Sequence, residues 1–211
     1  MEVTREQLRE ALLERYTPEM YEKISNASVA IAGLGGLGSN VAVMLARAGV
    51  GHLLLVDFDK VELTNLNRQV YTCRHLGMKK TEALAGILKE INPYIECNIE
   101  ECYVNRENIE EMFQAYPIVC EAFDKAENKA MLVNTILEQC RETIVVSGSG
   151  MAGYGSSNAI HTEKIMKRLY VCGDRETELT KEVCLMASRV TICAAHQANM
   201  IIRLILGITE V

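Results

Sequence analysis

The sequence predicts an α/β protein: a doubly wound, mainly parallel sheet with helices on both faces, preceded by an N-terminal helical segment. Three observations carry this. Four short runs rich in Val, Ile and Leu occur at 28–33 (SVAIAG), 52–58 (HLLLVDF), 117–123 (PIVCEAF) and 143–148 (TIVVSG). Such runs suit strands buried on both faces of a parallel sheet. Helical stretches separate them at 39–49, 79–93 and 125–140, and strand-helix-strand alternation favours right-handed crossovers. A glycine cluster also runs straight out of the first strand, where a tight turn into a helix is needed.

The elements follow in order. Thr4 with Gln7 forms a capping-box pattern that opens a helix to about Arg15, and Thr17-Pro18 is a cap followed by proline at the first helical position. The sheet begins at about residue 27. The last stretch, 188–207 (SRVTICAAHQANMIIRLILG), is apolar nearly all round. It reads as a helix buried against the sheet or in a subunit interface. No repeat, low-complexity tract or linker interrupts the 211 residues, so a single domain over 1–211 is expected.

Composition narrows the function classes. Hydrophobic residues are 49% and charged residues 24%, and 22 Lys+Arg against 28 Asp+Glu give a net charge of −6. These proportions describe a globular chain and argue against a broad nucleic-acid or anionic-membrane surface. No apolar stretch reaches the roughly 18 residues that cross a bilayer, and the charged N-terminus lacks the apolar core of a signal peptide. A cytoplasmic protein with its eight cysteines reduced is expected.

The chemistry concentrates in one region. Gly33-Leu34-Gly35-Gly36-Leu37-Gly38-Ser39 matches G-x-G-x-x-G with an extra glycine. Such a loop lets a phosphate approach bare backbone at a helix N-terminus, although glycines are equally what a tight strand-to-helix turn requires. Asp57 stands 19 residues beyond Gly38, with Asp59 two residues on. That spacing suits a carboxylate on a ribose hydroxyl, or a solvated strand-end residue. Asn65, Arg68 and Gln69 then crowd into a polar segment, and an arginine there can reach a triphosphate. Lys79 and Lys80 open the next helix, where the helix dipole disfavours cations unless an anion is near. Asp124 follows the strand at 117–123 and either holds Mg²⁺ at the crevice or caps the helix beginning at Lys125.

The ordered set GLGGLGS, VDFDKVELTNLNRQV, GMKK and AFD resembles the ThiF/HesA/MoeB family, whose fold is shared with the adenylation domains of ubiquitin-activating enzymes. VAIAGLGGLGSNVAVMLARAGVGHLLLVDFD and the terminal AAHQANMIIRLILG extend the likeness over nearly the whole chain. The resemblance implies a Rossmann-like fold and ATP-dependent adenylation of the C-terminal glycine carboxylate of a small ubiquitin-like sulfur carrier, with release of pyrophosphate. Short length, CGD after the sheet and the AAHQAN ending look most like compact ThiF-like adenylyltransferases of the carrier ThiS, in thiamine synthesis. A molybdopterin or cysteine-synthesis carrier, or a tRNA-linked carboxylate, are the alternative acceptors.

Carried over, the resemblance assigns Asp57 to the ribose, Asp59 to nucleotide binding, Asn65, Arg68, Gln69 and Lys80 to the phosphates, and Asp124 to Mg²⁺. Gly33, Gly35, Gly36, Gly38 and Ser39 form the nucleotide loop, and Arg9 enters from the second subunit of a homodimer, with Arg15 as fallback. It divides the chain into N-terminal helices (1–26), a nucleotide-binding core (27–150) and a carrier-binding C-terminal part (151–211). The glycine-rich stretch 147–159 would be the floor of a carrier-tail channel or a surface loop. Many relatives bind structural zinc through two C-x-x-C pairs, and no cysteines here have that spacing, so zinc is not expected. Cys184 lies several positions from the thiol that some relatives use after adenylation, and Cys172 sits where one zinc-pair cysteine remains. Either is equally a small buried hydrophobe. A nicotinamide-dependent oxidoreductase would share the glycine loop and Asp57 but leave Asn65, Arg68, Gln69 and Asp124 without a reason. A non-catalytic carrier-binding scaffold is the rival from another class.

Overall fold

A computed structural model describes residues 3–177, 180 and 183–211. Two short helices, α1 (Arg5–Leu13) and α2 (Pro18–Ser25), precede the sheet. Thr4 and Gln7 close the capping box reciprocally, and the Thr17 hydroxyl accepts from the Met20 N–H ahead of the Pro18 turn. Four strands follow the apolar runs: β1 (Ser28–Ala32), β2 (His52–Val56), β4 (Ile118–Glu121) and β5 (Ile144–Gly148). Three more complete the sheet: β3 (Glu96–Glu100), β6 (His161–Met166) and β7 (Leu169–Gly173).

The order is β3-β2-β1-β4-β5-β7-β6, parallel throughout except for β6, which runs antiparallel to β7 at one edge. This is the Rossmann-like doubly wound α/β fold. One face carries α3 (Gly36–Ala48), α4 (Lys80–Ile91) and α7 (Ala187–Ile205), which pack on Val29, Ile31, Leu53, Leu55 and Cys120. The other carries α5 (Ile109–Phe113) and α6 (Ala126–Gln139), which pack on Ala30, Ala32, Leu54, Val56 and Val119. Alternate residues of each central strand thus feed two cores. The final helix is buried against α3 and the sheet through Val190, Ala194, Ala198 and Ile201.

The sequence reading missed β3, β6, β7 and α5. β3 (ECNIE) and β6 (HTEKIM) are edge strands with mixed exposure and no apolar run. β7 (LYVCG) did offer a buried signal in Leu169, Tyr170 and Cys172. Among the described residues no helix is long and apolar enough to cross a membrane. All eight cysteines are unpaired.

Candidate active site

The sheet reverses its winding between β1 and β4, and the loops beyond their carboxyl ends form the crevice where doubly wound folds take ligands. β1 runs into Gly33, whose φ of +92° only glycine adopts readily. A Cβ there would stand 2.9 Å from the Ala122 carbonyl oxygen, so the loop is pressed against the end of β4. A Cβ on Gly38 would lie 1.9 Å from the Gly33 carbonyl oxygen, which explains the close seating of α3 on the loop. Gly35 caps α3 without any side-chain acceptor. The first-turn N–H groups therefore face the crevice, the standard anion-binding arrangement.

Asp57 is buried. Its Oδ2 accepts the Leu34 N–H at 2.7 Å and its Oδ1 the Asp59 N–H at 2.8 Å. Burial raises its pKa, partly offset by the Lys80 charge and by these two N–H groups. The carboxylate thus ties the glycine loop to β2, and its remaining lone pairs are available to hydroxyl donors. The two lysines opening α4 separate cleanly. Lys79 lies outside and pairs with Glu101. Lys80 is 6% exposed, with Nζ 2.7 Å from Asp59 Oδ2 and 4.0 Å from Asp57 Oδ2. The buried cation is the one facing the crevice.

The 62–71 segment folds back over the first turn of α3. The Ser39 hydroxyl, fully buried, accepts the Val70 N–H at 3.4 Å, and Asn40 Nδ2 donates to the Arg68 carbonyl. Ser39 therefore fastens the segment instead of facing the crevice. Asn65 likewise turns inward: its Oδ1 accepts the Glu62 N–H at 3.0 Å, closing its own turn. Arg68 lies across Gly36 and donates Nη1 to Asn67 Oδ1 at 2.8 Å and to the Thr64 carbonyl at 3.2 Å. Its Nε is buried without a partner, as is Gln69 Oε1, and the Gln69 side chain stands against Gly35. Buried polar atoms left unpaired are costly and point to a missing ligand or water.

Asp124 is exposed just beyond β4, and α6 is capped by Lys125 with no side-chain bond, so Asp124 does not act as a helix cap. Among the described residues no three His, Cys, Asp or Glu side chains converge as a metal cage. A single exposed carboxylate can contribute to a Mg²⁺ site, since that ion usually combines one or two carboxylates with waters and phosphate oxygens.

Arg9 is elsewhere. It pairs with Glu6 at 2.8 Å and lies over the Tyr21 ring, on a helix whose Leu12 packs against Gly49 at the far end of α3. With 13 residues, α3 puts about 20 Å between that end and the glycine loop. Arg9 of the same chain does not reach the crevice, and Arg15 is exposed in the turn after α1. Cys184 is exposed, and its carbonyl accepts the Gly153 N–H at 2.7 Å. The next carbonyl, of Leu185, accepts from Asn67. Cys172 is fully buried and its thiol is pushed up to about 11 by burial, which withholds both access and the thiolate.

Three residues escaped the sequence reading. Glu121, fully buried at the end of β4, accepts from Phe123 N–H (2.7 Å), Lys129 Nζ (2.9 Å) and Ser147 Oγ (2.5 Å), fixing the turn that carries Asp124. Gln197 Nε2 reaches from α7 to the Glu121 and Val146 carbonyls. Arg189 is buried against Asp174. Only Glu121 left a mark, as a charge inside an apolar run.

The chain is 36% identical over 145 residues to the molybdopterin-synthase adenylyltransferase of Haemophilus influenzae, which is 68% of this chain and 58% of that protein. It is 34% identical over 137 residues to the tRNA threonylcarbamoyladenosine dehydratase of the same organism, or 64% of this chain and 52% of that one. It thus spans little more than half the length of these relatives. Its fold matches the crystal structure of the Escherichia coli tRNA N6-threonylcarbamoyladenosine dehydratase TcdA in complex with ATP, with TM-score 0.87, 98% coverage of both chains and 19% identity. The profile of the ThiF family matches residues 8–211, nearly the full length, and the chain belongs to the ThiF family.

Proposed function

We propose that the protein is an ATP-dependent adenylyltransferase that activates the C-terminal glycine carboxylate of a small ubiquitin-like sulfur carrier, ThiS or an equivalent. The observation that carries this is the set of donors around the glycine loop: Arg68 Nε without a partner, beside an uncapped helix N-terminus and the buried Lys80. In this reading a carboxylate oxygen of the carrier attacks the α-phosphorus of ATP. The bond from that phosphorus to the oxygen bridging to the β-phosphate breaks, and pyrophosphate leaves with the electron pair. The attacking carboxylate is already ionised at neutral pH, so no general base is needed.

The barrier is electrostatic: two anions must meet while charge builds on the phosphate oxygens. Asp57 and Asp59 take the ribose side, and loop N–H groups and the Gln69 Nε2 amide beside Gly35 hold the phosphates. Lys80 exchanges Asp59 for a phosphate oxygen, Arg68 offers its guanidinium to the same charge, and Asp124 would hold Mg²⁺. Bound there, Mg²⁺ would neutralise phosphate charge. Ser39 and Asn65 act by shaping the loop and the 62–71 segment. Arg9 serves only from a second copy of the chain in a homodimer. Cys184 is the accessible thiol for any later transfer, and Cys172 is not.

A tRNA-linked carboxylate is the second reading, prompted by the named activity of the dehydratase relatives. The net charge of −6 favours a carrier protein over a polyanion. The test mixes the protein with ATP, Mg²⁺ and ThiS and looks for AMP added to the carrier by intact mass. Arg68→Ala and Asp124→Ala should each lower carrier-dependent exchange of pyrophosphate into ATP by roughly a hundred- to thousandfold while remaining folded. Near-normal exchange would remove that residue from the mechanism. Binding of NADH in place of ATP would overturn the reading.

A further inference from the structure

The order of loops along the carboxyl edge sets the order of reactants. Asp57 follows β2, the glycine loop β1, Asp124 β4, the 149–156 crossover β5, and Asp174 β7. Adjacent strands are ~4.8 Å apart, so β2 and β5, three steps apart, are separated by roughly 14 Å. A nucleotide with its ribose at β2 and phosphates over the β1 loop leaves the β5 side as the approach for the acceptor.

On that side one buried guanidinium gathers three segments. Arg189, in the first turn of α7 and 3% exposed, donates Nη1 to the Gly155 and Ser156 carbonyls (2.8 and 2.6 Å) and Nη2 to Asp174 Oδ2 (2.5 Å). Asp174 also accepts from the Thr177 N–H at 2.8 Å and the Glu176 N–H at 3.0 Å, and its own N–H reaches back to the Gly150 carbonyl at 2.9 Å. Fit confirms the tightness: a Cβ on Gly150 would sit 2.1 Å from Asp174 Oδ1. The next residue of α7, Val190, packs on Gly36 of the nucleotide loop. The crossover is therefore clasped at both ends and braced toward the nucleotide site.

We infer that Arg189 and Asp174 are positioning residues, whose buried ion pair holds the 149–156 crossover as a fixed wall along which the extended carboxyl-terminal tail of a carrier runs to the α-phosphate. The inference rests on the carrier reading above. Neither residue touches ATP in it, which separates their effect from that of Arg68 or Lys80. The glycines at 150, 153 and 155 turn their bare Cα toward Asp174, Val183 and Arg189, which lets the crossover seat closely on the groups that brace it.

The test compares wild type with Arg189→Gln, Asp174→Asn and Arg189→Lys. A lysine can reach Asp174 but cannot also span two carbonyls. Hydrogen exchange of peptides covering 149–156 and 33–39 is read by mass spectrometry, with ATP affinity by calorimetry and the KM for ThiS and kcat by pyrophosphate exchange. In Arg189→Gln and Asp174→Asn the crossover peptide should exchange about tenfold faster, and the carrier KM should rise about tenfold with kcat little changed. Protection at 33–39 and ATP affinity should stay within about twofold, and Arg189→Lys should recover part of the KM.

Unchanged crossover protection, or ATP affinity falling in step with the KM, overturns the proposal, the latter because it marks general loosening. Should Arg189→Gln not fold, Asp174→Asn, which removes the charge of the pair at nearly the same shape, decides alone. A wild-type protein that binds ATP yet exchanges no pyrophosphate with ThiS refutes tail positioning together with the ThiS reading. Hydrogen exchange then still reports separately whether the ion pair holds the loop.

Discussion

Gly38→Ala and Gly86→Ala should move stability in opposite directions, though both add one methyl group to a helix. At Gly38 the new Cβ would lie 1.9 Å from the Gly33 carbonyl oxygen and 3.1 Å from Ile31 Cγ2. Restoring a separation near ~3.5 Å requires loop and helix to part by about 1.5 Å, in a region with no free volume. Overpacking of this kind costs about 1 to 3 kcal/mol, and the upper end applies because the obstacle is backbone. At about 2 to 4 °C per kcal/mol for a chain of this size, the midpoint should fall by roughly 6 to 12 °C. Gly86, exposed in α4, has nothing within 4 Å of its Cβ position. Alanine there removes unfolded-state entropy and should stabilise by about 0.5 to 1 kcal/mol, a rise of roughly 1 to 4 °C. Thermal unfolding followed by circular dichroism measures both, and calorimetry with ATP asks whether Gly38→Ala also weakens nucleotide binding, as a parted loop must. A Gly38→Ala protein melting with wild type and binding ATP as tightly would refute the close-packed loop on which the site is built.

Three further outcomes are expected. Although partial burial opposes ionisation, hydrogen bonds from Thr177, Glu176 and Arg189 hold the Asp174 carboxyl down at about 2. Its stabilisation is complete above its unfolded value near 4 and lost as pH falls through about 2. Asp174→Asn should therefore flatten the acid limb of a denaturant-melt series between pH 4 and 2 relative to wild type. Alkylation of the native protein with iodoacetamide should label Cys184 and Cys73, which are exposed, and spare Cys120, Cys172 and Cys193, which are fully buried with thiols pushed up by burial. Peptide mapping showing Cys172 labelled as fast as Cys184 would contradict the burial. Glu121→Gln removes the charge partner of Lys129. Because Lys129 is only partly buried, the loss should fall near the low end for a broken buried pair, about 3 kcal/mol, measured by urea unfolding.

The parts of the fold that were legible are those whose signal is local. Central strands buried on both faces must be apolar along their whole length, so β1, β2, β4 and β5 announce themselves. β3 and β6 each have a single neighbour and no fully buried residue, so ECNIE and HTEKIM read as loop. Five residues of α5 are too few to show a period. The site divides along the same line. Glycines, Asp57 and Lys80 sit at positions where spacing from a strand end has meaning. Arg189 and Gln197 take their roles from groups 15 to 76 residues away, and nothing in their neighbourhood in the chain specifies those partners. Ser39 and Asn65 show the reverse. Their residue types suited a ligand, yet each satisfies a nearby backbone N–H, because a loop that must receive phosphate has first to be held in shape.

Charge explains why the shape must be held so firmly. Asp57 and Asp59 follow β2 and Asp124 follows β4 on the same edge of the sheet, and the two cations of the proposed site are Arg68 and Lys80. Lys80 is occupied by Asp59 and Arg68 by neutral oxygens. With its cations engaged internally, the free site stays compact without an unpaired buried charge, whose cost would be several kcal/mol. In the reading proposed above, a bare triphosphate would meet net negative charge, whereas one carrying a divalent cation would bring a counter-charge for Asp124 and would free Lys80 from Asp59 by exchange. The selectivity of such a site lies less in its count of positive residues than in which negative partner each one gives up.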